Sequence, residues 1–338
     1  MSADIIAFKG STTGKIVQSV IPSPPLKGAQ VLVEIHHSGF CGTDLHYLHR
    51  DMVIGHEGAG IVKELGPGTR YLKIGDRVGF GWYHDSCGRC EDCLVGDGAH
   101  CRVDLHSFGT HELDQGGFAT HAVWKEDFLY PIPDGMSTEI AAPLMCAGMT
   151  VFTPLIRYAV KPTDRVGVVG IGALGHLAIQ FASKMGCDVV AFSGTKSKKE
   201  EALALGARSF VATKGQDEMN FDGKLINHLL VTTSAFPDWK QYLALMAPFG
   251  TIYPLTVQFD MLSVPHIPFL VKDLSIRGST GGSRLIFQRM LEFSVFHNIK
   301  PMIEKFPLSL NGIEEARVKI QRGEVRYKAV LEQINYVG

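Results

Sequence analysis

The sequence predicts an α/β protein of two domains, one β-rich and one built on a doubly wound parallel sheet. Three observations point there. The first 150 residues combine alternating apolar positions with dense glycine punctuation. A strand, glycine turn, helix, strand pattern begins near residue 166. The chain has 338 residues, enough for about two domains with sizeable cores.

Taken in order, Val31, Val33 and Ile35 recur with period two, and Glu34 and His36 fall on the other face, as in a half-buried strand. Leu32 interrupts the alternation. Gly55, Gly58, Gly60, Gly66, Gly68, Gly75, Gly79 and Gly81 then imply short strands joined by tight turns. After about Thr150 the texture changes. Val166, Val168 and Val169 read as a buried parallel strand. A glycine turn follows, then a helix with Leu174, Leu177, Ala178, Phe181, Ala182 and Met185 on one face and Gly186 placed to end it. Val189-Val190-Ala191-Phe192 is the next strand, so the segment is a βαβ unit. Leu229-Leu230-Val231, Thr251-Ile252-Tyr253 and Leu274-Ser275-Ile276 are spaced as later strands of the same sheet. An amphipathic helix is expected over residues 313–321 and a last strand over residues 329–334.

The composition is that of an ordinary globular protein, 45% hydrophobic and 20% charged. A net charge of −1 gives no global field toward nucleic acid or an anionic membrane. The only dense basic stretch is Lys196-Ser197-Lys198-Lys199. No apolar run reaches the length of a membrane-spanning helix. Met1-Ser2-Ala3-Asp4 lacks a basic region followed by an apolar one, so no signal peptide is expected and the cytoplasm is the expected location. Seven cysteines, an odd and clustered set, suggest metal rather than disulfides in that compartment.

Cys87, Cys90, Cys93 and Cys101 form C-x2-C-x2-C-x7-C. Two-residue gaps let one turn present successive sulfurs to one ion, and four sulfur ligands close its coordination sphere. The spacing therefore predicts a structural zinc site; the blander reading is four unrelated thiols or a redox pair. Of the remaining cysteines, Cys187 at the edge of the second βαβ strand reads as an inert core thiol. Cys41 begins Cys41-Gly42-Thr43-Asp44-Leu45-His46, His56 stands in Gly55-His56-Glu57-Gly58, and Cys146 in Met145-Cys146-Ala147-Gly148. Two thiolates and an imidazole leave a fourth position open, the ligand count of a catalytic zinc. Singly, each could equally be a core residue.

These pieces carry a resemblance. The chain resembles the zinc-dependent medium-chain alcohol dehydrogenases, and within them the cinnamyl alcohol dehydrogenase group of NADP-dependent aldehyde reductases. The matching motifs are Cys41-x-Thr43-Asp44-x-His46, Gly55-His56-Glu57, the four-cysteine loop, Gln115-Gly116-Gly117-Phe118, Cys146-Ala147-Gly148-x-Thr150 and the glycine turn at 170–175, in family order over about residues 31 to 330. The resemblance implies a GroES-like β-rich catalytic domain over residues 1–149 and 284–338, a Rossmann domain over residues 150–283, two zinc ions per chain and a homodimer. It implies that Cys41, His56 and Cys146 are the catalytic zinc ligands and that Glu57 is a carboxylate beside the metal. Asp44 would fix the His56 tautomer. Thr43 and His46 would relay a proton from the substrate oxygen through the cofactor ribose to solvent. One departure stands out: only fourteen residues separate Cys41 from His56, fewer than the family pattern, which predicts a more open mouth on that side.

Gly170-Ile171-Gly172-Ala173-Leu174-Gly175 is a G-x-G-x-x-G between strand and helix, the context in which glycines admit a pyrophosphate and the helix N-terminus stabilises it. An NAD site usually has Asp or Glu at the end of the second strand; that position is Ser193. The loop continues Gly194-Thr195-Lys196-Ser197-Lys198-Lys199, hydroxyls and ammonium groups that suit the 2′-phosphate of NADP. The resemblance points the same way, with Ser193, Thr195 and Lys198 at matching positions. The blander reading is a solvated lysine turn.

The expected chemistry is hydride transfer between NADP(H) and an alcohol–aldehyde pair. Trp82 and Tyr83, with Met145 and Met149, would suit a bulky or aromatic aldehyde, although both aromatics could be core. Two other readings stay open: reduction of conjugated C=C or iminium bonds on the same scaffold, and a non-catalytic zinc-binding scaffold. A zinc-ribbon module for nucleic acid is disfavoured, because Asp85, Glu91, Asp92 and Asp97 outweigh Arg89 around the cysteine loop. The partner is therefore expected to be a small molecule, not nucleic acid or membrane.

Overall fold

The computed structural model describes residues 4–215, 219 and 224–334. Met1, Ser2 and Ala3 of the N-terminal reading lie outside the described residues, as do positions 335–338 of the expected catalytic range. The chain divides into two units, Met1–Met149 with Gly281–Gly338, and Thr150–Thr280. The second junction falls at 280/281, where the sequence places it at 283/284.

The first unit is built on a seven-stranded sheet in the order Ile303–Pro307, Lys328–Glu332, Gln30–Phe40, Gly58–Leu65, Arg77–Phe80 and Tyr130–Pro131, with His121–Lys125 also pairing with Gln30–Phe40. Gln30–Phe40 is antiparallel to all three of its partners. That corrects the half-buried strand expected there. Leu32, His36 and His37 are all 5% exposed or less, because three strands hydrogen-bond to the strand and the helix Thr138–Pro143 packs across it. The helix Leu310–Arg322 is capped by Ser309, whose side chain accepts from Gly312 N, and ends at Gly323; the strand Lys328–Glu332 follows.

The second unit is a six-stranded sheet in the order Ser209–Ala212, Asp188–Ser193, Arg165–Val169, Ile226–Val231, Met246–Pro254 and Ser275–Ile276, every pair parallel. All five residues of Arg165–Val169 are buried, as both faces of a parallel sheet require. The helix Gly175–Lys184 returns over the sheet and stops at Gly186, whose N–H meets Ser183 O at 3.0 Å. The edge strand Ser209–Ala212 is absent from the sequence expectation. Only its Val211 is buried, so it offers no apolar run to read. Strand order reverses beside Arg165–Val169, the switch point outside whose carboxyl ends such sheets bind ligands. Gly170 and Ser193 sit there.

The helical run Thr138–Arg157 corrects another expectation. Its 20 residues include an 18-residue window of mean hydropathy 1.5, long and apolar enough by composition to cross a membrane, yet 72% of that window is buried inside the protein. Burial within a core accounts for the same composition.

Candidate active site

The strand Gln30–Phe40 delivers Cys41 at its end, where the backbone turns into the short 3-10 helix Gly42–Tyr47. Asp44 caps that turn: its Oδ2 accepts from Cys41 N at 2.9 Å. Its Oδ1 lies 2.7 Å from His56 Nδ1. One carboxylate thus places both residues and leaves His56 Nε2 for a ligand, as in the carboxylate–histidine pairs of metal sites. Cys146 comes from a π-helical turn, Leu144–Gly148, that follows Pro143. Proline lacks the N–H that would continue the α-ladder, and single π-turns often mark functional sites.

His56 Nε2 and Cys146 Sγ are 3.3 Å apart. The ligand atoms of Cys41, His56, Glu57 and Cys146 all lie within 4.8 Å of one another. Two thiols, an imidazole and a carboxylate gathered this closely are a donor set that suits zinc, which binds such ligands at about 2.0–2.3 Å. Burial alone would push the His56 imidazole down, but the Asp44 carboxylate outweighs it and holds it well above its ordinary value. The hydrogen bond with Cys146 holds the Cys41 thiol well below its ordinary value, with the Lys328 and His56 charges adding to it against burial. A thiol that yields its proton readily suits a metal ligand.

Glu57 is fully buried, and burial pushes its carboxyl up to about 7 against the pull of Lys328. Its Oε1 accepts from Lys328 Nζ at 2.6 Å, while Oε2 is buried with no partner among the described residues. An orphaned carboxylate oxygen beside two thiols and an imidazole also fits a cation. Gly39 makes room for it: a Cβ there would sit 1.8 Å from Glu57 Oε2. Lys328 escapes sequence reasoning altogether, since it lies 271 positions from its partner.

Aromatic rings wall the imidazole. Trp82 and Phe108 lie 5.1 and 5.0 Å from His56 between ring centroids, and Tyr47 packs on both. Tyr83 is 8% exposed and belongs to the core with Val78, Phe80 and Trp124. Met145 and Met149 are also core, each 2% exposed. Thr43 is half-buried and His46 exposed in the turn after Cys41. Of the expected pocket residues the structure therefore brings Trp82 to the site, and it adds Phe108 and Tyr47, which no motif marks.

The second cysteine set converges as its spacing predicts. Sγ separations are 3.9 Å for Cys87–Cys93, 3.5 Å for Cys90–Cys93 and 3.8 Å for Cys90–Cys101. Backbone amides of Arg89 and Cys90 reach Cys87 Sγ at 3.4 and 3.3 Å, and Asp104 N reaches Cys101 Sγ at 3.4 Å. Such amides favour thiolates. Cys187 is buried apart from both sets, and burial pushes its thiol up to about 11.

In the glycine loop, Gly170 has φ +91° and accepts no side chain without strain. A Cβ on Gly175 would meet Gly170 O at 1.9 Å, so close packing of helix on turn demands glycine there. Ser193 ends the second strand, and Thr195 Oγ1 and Ser197 Oγ are 2.9 Å apart in the turn beyond it. Lys198 Nζ crosses to Ile171 O at 2.5 Å.

Residues 27–134 match the family model of the alcohol dehydrogenase GroES-like domain, and residues 173–295 match that of the zinc-binding dehydrogenases. The aldehyde reductase AdhA of Synechocystis sp. is 34% identical over 89% of this chain and 90% of its own. The NADP-dependent alcohol dehydrogenase C 1 of Mycolicibacterium smegmatis is 32% identical over 95% of each chain. Among solved structures, a cinnamyl alcohol dehydrogenase from Sorghum bicolor superposes with a TM-score of 0.86 at 29% identity, covering 97% of both chains. The chain belongs to the zinc-binding alcohol dehydrogenase family, with a GroES-like domain and a Rossmann-type parallel sheet.

Proposed function

We propose that this protein is a zinc-dependent oxidoreductase that interconverts alcohols and aldehydes with NADP(H), with a preference for bulky or aromatic substrates. The observation that carries the reading is the convergence of Cys41, His56 and Cys146 with Asp44 behind the imidazole. Relatives named as an aldehyde reductase and an NADP-dependent alcohol dehydrogenase support it.

Cys41, His56 and Cys146 would hold the catalytic zinc, and Cys87, Cys90, Cys93 and Cys101 the structural one. When bound, zinc supplies Lewis-acid polarisation of the substrate oxygen and NADP(H) supplies or accepts the hydride. Asp44 fixes the His56 ring. Glu57, tied to Lys328, presents its second oxygen toward the ligand set. Thr43 and His46 carry the proton between the substrate oxygen and solvent. Gly170, Gly172, Ala173, Leu174 and Gly175 shape the pyrophosphate cradle. Ser193 and Thr195, with the positive charge of Lys198, meet the 2′-phosphate, and no carboxylate stands at position 193 to repel it. Trp82 faces the substrate; Tyr83 supports it from the core. The same reading takes the enzyme as a cytoplasmic homodimer.

A panel of aliphatic, aromatic and conjugated aldehydes assayed for oxidation of NADPH and NADH tests the proposal. Faster turnover with NADPH and an unsaturated alcohol as product from an enal are the expected results. A saturated aldehyde as product would move the assignment to C=C reduction.

A further inference from the structure

Four consecutive carbonyls around the glycine loop each meet a side chain from elsewhere in the second unit. The Thr232 hydroxyl lies 2.8 Å from Val169 O and 3.0 Å from Gly170 O and shares its one proton between them. Lys198 Nζ donates to Ile171 O at 2.5 Å. His176 Nδ1 lies 2.9 Å from Gly172 O, and since a carbonyl only accepts, that nitrogen carries the proton. The backbone supports two of the same acceptors, with Thr232 N on Val169 O at 2.9 Å and His176 N on Gly172 O at 3.1 Å. His176 is fully buried. Its position inside the helix Gly175–Lys184, one residue past the last motif glycine, explains why no motif marks it.

A trans peptide keeps its C=O and N–H on opposite sides. The carbonyl of one residue shares its peptide plane with the amide of the next. Holding the carbonyls of Gly170, Ile171 and Gly172 therefore turns the amides of Ile171, Gly172 and Ala173 away from Thr232, Lys198 and His176. Successive amides presented in this way make a concave anion cradle. The ten-residue helix Gly175–Lys184 begins directly after it and adds the favourable end of its dipole. A loop this rich in glycine has most to lose in entropy when a ligand orders it, and side chains that order it beforehand reduce that cost.

We infer that Thr232, Lys198 and His176 form a clamp on the glycine-loop carbonyls that presets the backbone for the dinucleotide pyrophosphate. The inference rests on the cofactor reading above and adds to the part played by Lys198. Its ammonium also acts through the Ile171 peptide, as a positioning residue, besides the 2′-phosphate contact it shares with Ser193 and Thr195.

The two roles of Lys198 separate cleanly. The pyrophosphate is common to NADPH and NADH, whereas only NADPH has the 2′-phosphate. Dissociation constants of both nucleotides are measured by titration calorimetry on the zinc-loaded protein and its Lys198→Met variant. The clamp predicts that NADH, which has no 2′-phosphate contact to lose, weakens about tenfold, and that NADPH weakens at least as much. A loss confined to NADPH, or no loss for either, overturns it. His176→Leu should weaken both nucleotides in the same way. His176→Asn, which restores an N–H donor, should recover part of the loss, and equal behaviour of the two variants counts against the clamp. Amide hydrogen exchange of the 170–174 segment without nucleotide gives a second readout: faster exchange in Lys198→Met and His176→Leu is expected, and wild-type exchange contradicts the clamp. A wild-type protein that binds NADH more tightly than NADPH would defeat the cofactor reading while leaving the NADH test of the clamp intact.

Discussion

Asp44 shows how much one side chain can settle. Its two oxygens hold the Cys41 amide and the His56 ring at once, so loss of its charge disturbs two proposed zinc ligands together. Asp44→Asn should weaken zinc affinity at this site by about 10- to 100-fold, read by competition with a chromophoric chelator, while the four-cysteine site keeps its metal. Equal release from both sites would contradict that role. At this scale the sequence was legible where residues that come together also lie close along the chain. Cys41, Asp44 and His56 lie within sixteen positions, and the four-cysteine loop within fifteen. Lys328, Phe108 and Tyr47 were not legible, because an ion pair or ring contact formed across the fold leaves no local pattern. Tyr83 and Trp82 are adjacent and chemically alike, and only burial and the ring contact of Trp82 with His56 separate them.

At the scale of elements, turns and caps do the positioning. The Glu126 carboxylate is a clear case. It accepts from Arg70 N at 3.0 Å, Tyr71 N at 2.7 Å and Leu72 N at 2.8 Å, tying the 70–72 turn to the short 3-10 helix Glu126–Phe128. Burial alone would raise its pKa, but these amides and the Arg284 charge outweigh it and hold the carboxyl below its usual range. A depressed folded-state pKa contributes stability above the unfolded value of about 4.3, lost as pH falls through the folded value. Glu126→Gln should therefore cost about 1–2 kcal/mol near neutral pH, seen as a lower melting temperature. The gap from the parent should close as pH is lowered through the carboxylate range. A gap constant with pH would show that the charge plays no part. The βαβ unit was legible as an element because a continuous buried strand, a glycine turn and a one-faced helix each leave their own period. The strand Gln30–Phe40 misled because its polar residues, His36 and His37, are covered by neighbours the sequence does not disclose. The π-turn at Cys146 is set by Pro143 and tertiary packing, which periodicity does not report.

For the whole molecule, the two-domain plan was legible because its halves use different periods. The helical run Thr138–Arg157 shows the converse, since composition cannot tell a helix buried in a core from one buried in lipid. The two candidate metal sites divide the labour in the proposed function. Cys93→Ser should remove the structural zinc and lower thermal stability, because such sites contribute folding energy outright. Cys146→Ser should act on chemistry instead. The most direct measurement of the account is zinc per chain, determined together with the rate of aldehyde reduction, for the parent protein and Cys146→Ser. The account predicts two zinc ions in the parent, one in the variant, and loss of turnover with the fold retained. A variant that keeps both ions, or that turns over at the parent rate with one, would contradict it.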